Sequence, residues 1–144
     1  MTLEQIESLY GFQFPDRHRK DLEDRSSPIH SAVEFLFPDD PGIRDFVRCN
    51  EELRSGWKKA GVNVVAFATQ GCGDFHAYDI SETPYQVFVI DPTSDVAESL
   101  AAAIAQENAL ERYDEWRERI WEIHEEVEAD FEEFGYDHLP FTES

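Results

Sequence analysis

Residues 62–92 read VNVVAFATQGCGDFHAYDISETPYQVFVIDP, and this stretch decides the fold. Val62–Ala68 is apolar and β-branched, and the Gln70-Gly71-Cys72-Gly73-Asp74 cluster breaks it. Phe75–Ile80 and Tyr85–Ile90 follow, on either side of a second break at Ser81–Pro84. Links this short cannot hold a crossover helix, so the three strands pair antiparallel as a meander, with the glycines supplying turn angles that other residues resist.

On the N-terminal side, Thr2 with Gln5 forms a capping box ahead of Leu3, Ile6 and Leu9 or Tyr10 at helical spacing, and Gly11 ends that helix. Phe12, Phe14 and Pro15 make an extended link, after which Pro15 or Asp16 opens a charged helix to about Glu23. Within Ser26–Pro41, the apolar Val33, Phe35, Leu36 and Phe37 run into Pro38-Asp39-Asp40-Pro41-Gly42, which predicts a short strand and a tight turn. Ile43, Phe46, Val47, Leu53 and Trp57 fall close to one face, predicting a helix over Gly42–Ala60.

On the C-terminal side, Val96, Leu100 and Ile104 predict an alanine-rich helix over Val96–Gln106. A longer helix follows. Its apolar stripe is Tyr113, Trp116, Ile120, Ile123, Val127, Phe131 and Phe134, and Glu111, Glu115, Glu118, Glu122, Glu125, Glu126, Glu132 and Glu133 fill the other faces. The stripe is expected in the core, because a domain this small needs such a helix to cover its sheet. Trp121, one place off the stripe, is the aromatic expected to face a partner. The expectation for residues 1–144 is therefore a single α+β domain, a small mostly antiparallel sheet packed with helices and carrying a long acidic C-terminal helix.

Charge narrows the functions. Asp plus Glu number 32 against 12 Lys plus Arg, a net −20, and no basic residue occurs between Lys59 and Arg112. Such a field repels nucleic acid and anionic membrane and speeds association with basic protein surfaces by about 10- to 1000-fold at low salt. High acidity also serves solubility or a salt-rich cytoplasm, and the composition alone leaves both readings open. Met1–Tyr10 has no basic segment followed by an apolar run, and no stretch reaches the roughly 18 apolar residues that span a bilayer. The expectation is a cytoplasmic protein, with Cys49 and Cys72 as reduced thiols.

Catalytic patterns are sparse. Cys72, Asp74 and His76 alternate along one strand and are the one spacing that suits a metal- or thiol-dependent enzyme. His18, His30, His124 and His138 are scattered, and no HExxH, CxxC, GxSxG or phosphate-loop signature occurs, so neither a catalytic residue, a metal nor a cofactor is assigned.

The order of elements resembles the SUKH superfamily, which unites a yeast cell-wall-synthesis regulator with bacterial toxin-immunity proteins. The residues that carry the resemblance are Glu7 in the first helix, the Phe14-Pro15 link, the Gly73-Asp74 turn, Tyr78-Asp79 in the second meander strand, and Val87–Asp91 in the third. It covers about residues 3–105, with residues 107–135 as a helical extension longer than the family core. The family's Asn-Gly-Gly turn is absent around Arg25–Pro28.

The resemblance implies a non-catalytic binding domain, an immunity protein that neutralises a cognate toxin. Toxins that cut nucleic acid need basic surfaces, which an array of carboxylates covers. On that reading the partner is a basic, nuclease-like toxin domain. The contact residues are Asp74, Asp79, Glu82, Tyr85, Asp91 and Asp95 around the sheet, with Glu118, Trp121, Glu122, Glu125 and Glu126 on the long helix. A regulatory or scaffold module without a toxin partner shares the fold and is the alternative.

Overall fold

Thr2 accepts from the Gln5 amide at 3.1 Å while the Gln5 side chain accepts from the Thr2 amide at 2.8 Å, so the expected capping box starts helix α1, Leu3–Tyr10. Gly11 closes it at φ 70°, a left-handed angle that glycine adopts without steric cost. The computed structural model describes residues 1–40, 42, 45–60, 63–69, 74–81, 83–90 and 111–134, with backbone alone at 54–60 and 131–134. The expected alanine-rich helix at 96–106 lies outside these residues.

Helix α2, Asp16–Glu23, follows the Phe12–Pro15 link as expected. The next segment holds the expected short strand, β1, Glu34–Phe35, preceded by an unexpected turn of 3₁₀ helix at Pro28–Ser31. Helix α3 runs Phe46–Ala60, starting four residues later than the apolar spacing predicts, because the chain first closes a parallel bridge between Phe37 and Asp45.

Strands β2, Val64–Thr69, β3, Phe75–Asp79, and β4, Gln86–Ile90, form the expected antiparallel meander, and β1 adds to β2 to give the order β1-β2-β3-β4. The register shifts between Ala66 and Ala68, leaving Phe67 as the extra residue of a bulge. Val65, Tyr78 and Val87 lie side by side on one face, with Ala66, Ala77 and Phe88 on the other, and all six are buried. With both faces covered, β2 reads as a continuous apolar run instead of an alternation.

Where β1 ends, a side chain continues the sheet. Asn50 of α3 accepts from the Ala66 amide at 2.8 Å and donates to the Ala66 carbonyl at 2.9 Å, satisfying a buried residue of β2 that has no strand beside it there. A second donation, to the Phe46 carbonyl at 2.9 Å, holds the amide in place.

Helix α4, Tyr113–Phe134, is reached through a bridge between Glu111 and Val87 on the outer edge of β4. Its first turns belong to the core. Tyr113, Trp116 and Ile120 are buried among Phe35, Phe67 and Tyr78, so the helix expected as an extension is integral to the packing. Its stripe then leaves the core: Ile123 is 45% exposed and Val127 half-buried. The core expectation therefore holds for the first half of the described stripe and fails at Ile123, because the helix outruns the sheet it covers.

Candidate functional site

The outer surface of α4 carries five of the eleven predicted partner-binding residues. Glu118, Glu122, Glu125 and Glu126 are exposed, and their spacing keeps Glu118 and Glu125 on the same helix flank as Asp114 and Trp121. Trp121 itself is half-buried and packs against the margin of the core, so the expected outward-facing aromatic presents only part of its ring. That ring borders a cleft of about 320 Å³ whose other walls are Arg17, Asp114, Arg117 and Glu118. His124 lies beside the indole, with ring centroids 5.3 Å apart, and pairs with Glu128 at 3.1 Å.

The cleft is anchored from beneath by an ion cluster. Asp21 of α2 is 3% exposed, accepts two N–H bonds from Arg117 at 2.8 and 3.1 Å, and accepts the Tyr113 hydroxyl at 2.5 Å. Arg17 approaches the same carboxylate at 3.8 Å. The Asp21 bonds raise the Arg117 pKa, and burial, reinforced by Asp21, pushes the Tyr113 phenol far above its ordinary range. Both guanidinium groups thus aim at Asp21, while Asp114 and Glu118 are solvent-exposed carboxylates.

Tyr85 borders a separate, polar groove of about 530 Å³ with Glu4, Glu7, Ser8, Gly11, Phe12 and Gln13. Its hydroxyl accepts from the Gln13 amide at 3.2 Å and its ring touches Phe12 and Tyr78, so it ties β4 to the link after α1. Glu7 accepts from the Phe14 amide at 2.9 Å and from Arg19 at 2.7 Å, which fixes that link to both helices.

Asp79 shapes a turn, accepting from the Ser81 amide at 3.1 Å and its hydroxyl at 2.6 Å, whereas Asp74 is held through its backbone carbonyl, which accepts from the Thr69 hydroxyl at 2.9 Å. Glu82, Asp91, Asp95 and Cys72 lie outside the described residues. Among the described residues, Tyr85 and Trp121 border different grooves.

His76, the histidine of the Cys72-Asp74-His76 spacing, is buried, and its Nδ1 accepts the Trp116 indole N–H at 3.1 Å. Desolvation lowers its pKa to about 4, so the ring is neutral at pH 7. Among the described residues no group of three or more His, Cys, Asp or Glu is arranged to hold a metal ion. Cys49 is a buried thiol whose pKa desolvation raises.

Sequence reasoning missed the Asp21–Arg117–Tyr113 cluster and His18. Nδ1 of His18 lies 2.6 Å from the Tyr78 hydroxyl, and its ring stacks on Tyr113 at 4.7 Å. Desolvation pushes its pKa down to about 3. The apolar neighbours Phe12, Phe14 and Leu22 were the one local sign that α2 buries a face.

In comparisons with known proteins, no family model matches the chain, and no curated protein or solved structure matches it. No helix among the described residues is long and apolar enough to cross a membrane.

Proposed function

We propose that this chain is a non-catalytic protein-binding domain of the immunity type, which binds and neutralises a basic, nuclease-like toxin domain. The observation that carries the reading is the outer surface of α4, where Glu118 and Glu125 stand exposed on the flank of the half-buried Trp121 and Glu122 and Glu126 are exposed on the same helix. An aromatic ring set among carboxylates suits a protein surface rich in Lys and Arg, with the ring as anchor and the charges steering the encounter. The net charge of −20 extends that steering over the whole molecule. The order of elements shared with the SUKH pattern supports the same class.

The test is co-purification of the tagged protein with the product of the adjacent gene, at low and high salt, with co-expression to read toxicity. A basic neighbour retained at low salt, released as salt rises, and no longer toxic when co-expressed is the expected result. Replacing Glu118, Glu122 and Glu125 together by Lys is expected to weaken retention about tenfold or more, chiefly by slowing association. Retention at neither salt, with toxicity unrelieved, overturns the proposal and leaves a regulatory module of the same fold.

A further inference from the structure

We infer that the cleft beside Trp121 is a socket for a single guanidinium side chain, an arginine presented by the basic protein partner. The inference rests on the binding reading above and specifies where and by what chemistry the partner is gripped. The cleft, about 320 Å³, is at the small end of ligand-sized cavities, room for one side chain and its water rather than a folded segment. Half-buried Trp121 is one wall, and indole is the side chain that attracts a cation most strongly. Asp114 and Glu118 stand on the same helix flank, two turns and one turn before Trp121 respectively, and beside the same cleft. A guanidinium lying on the indole can therefore offer its N–H fork to a carboxylate in its own plane.

The two arginines of the lining decide between a cationic and an anionic guest. Arg117 spends two N–H groups on Asp21 at 2.8 and 3.1 Å, and Arg17 points to the same carboxylate at 3.8 Å. Asp21 and these two bases leave one positive charge, against two from Asp114 and Glu118, so the cleft is net negative before Glu122 and Glu125 are counted. Among the described residues, no hydrogen bond or ion pair occupies the side chains of Asp114 and Glu118. An incoming anion meets a net negative cleft, whereas a cation meets two open acceptors and an aromatic side chain.

The probe is N-acetyl-argininamide, titrated into ¹⁵N-labelled protein while the indole N–H resonances are followed, with N-acetyl-glutamate amide as the anionic control. The expected result is a saturable shift of the Trp121 resonance with the arginine probe, absent with the control and weakened about fivefold or more in Glu118→Gln. Glu118 is exposed, so this variant folds normally, and Trp121→Ala removes the reporter and identifies its signal. No saturable shift, equal binding of the anionic control, or undiminished binding in Glu118→Gln overturns the inference. Toxicity rescue on co-expression reads the immunity proposal separately: a failed titration with intact rescue removes the socket alone, and a clean titration without rescue removes the neutralising role alone.

Discussion

The Tyr113 hydroxyl donates to the Asp21 carboxylate at 2.5 Å, joining two helices that are 92 residues apart in sequence. Asp21 also takes the fork of Arg117, so one buried carboxylate fastens α4 to α2 and sets the position of the helix that carries Trp121. Asp21→Ala leaves the Arg117 charge and the Tyr113 hydroxyl without their acceptor, and a loss of about 3–5 kcal/mol in urea unfolding is expected. Tyr113→Phe removes one donor and keeps the ring, for an expected loss of about 1–2 kcal/mol. Equal losses in the two variants would mean that Arg117 finds water or another partner.

Asn50 stands in for a missing length of strand, and its truncation tests that role. Asn50→Ala strands the amide and carbonyl of Ala66 in the core, with an expected cost of about 2–4 kcal/mol. Hydrogen exchange at the Ala66 amide should accelerate by more than the global loss of stability explains. Acceleration equal to the global loss would show that the sheet does not depend on the side chain locally.

His18 and His76 make the fold sensitive to mild acid. Both are depressed on burial, to about 3 and about 4, while in the unfolded chain they titrate near 6.5. Above pH 7 neither state binds the protons and stability is complete. As pH falls through 6.5 the unfolded state takes them up and the folded state does not, so stability is lost, by about 2 kcal/mol per histidine at pH 5. His76→Gln keeps an acceptor for the Trp116 indole and cannot protonate in this range. The fall in its stability between pH 7 and 5 should therefore be about half that of the parent, measured by urea unfolding at each pH. An unchanged slope would place the acid sensitivity elsewhere.

The apolar stripe of α4 is one pattern with two fates. Trp116 is fully buried against Phe35, Phe67 and His76, and Trp116→Ala is expected to cost about 3–5 kcal/mol. Ile123 is 45% exposed, and Ile123→Ala should change stability by less than about 0.5 kcal/mol. Thermal unfolding of the two variants separates these outcomes, and a large loss at Ile123 would mean that the distal stripe is covered in solution.

What could be read from the sequence is what depends on neighbours within a few residues. The capping box of Thr2 and Gln5, the left-handed Gly11, the breaks between the meander strands and the 3–4 spacing from Tyr113 to Ile120 are local devices, and each forms where its residues predict. The same local reasoning erred where a distant contact intervened, as when the Phe37–Asp45 bridge delayed α3 to Phe46.

The candidate site was legible only in its parts. Glu118, Glu122, Glu125 and Glu126 are exposed as their helical positions imply, but nothing near Asp21 in Asp-Arg-His-Arg-Lys-Asp-Leu-Glu distinguishes it from its solvated neighbours. Its burial follows from α4 arriving across α2 and bringing Arg117, 96 positions away, to complete its bonds. Sequence alone determined the composition, the charge, the order of elements and the amphipathic period of the last helix, because propensity and periodicity act along the chain. Tertiary packing decided where that helix leaves the sheet, how far Trp121 is sheltered and which charges are already paired. Burial and ion pairing are properties of surfaces that meet only when distant segments are brought together.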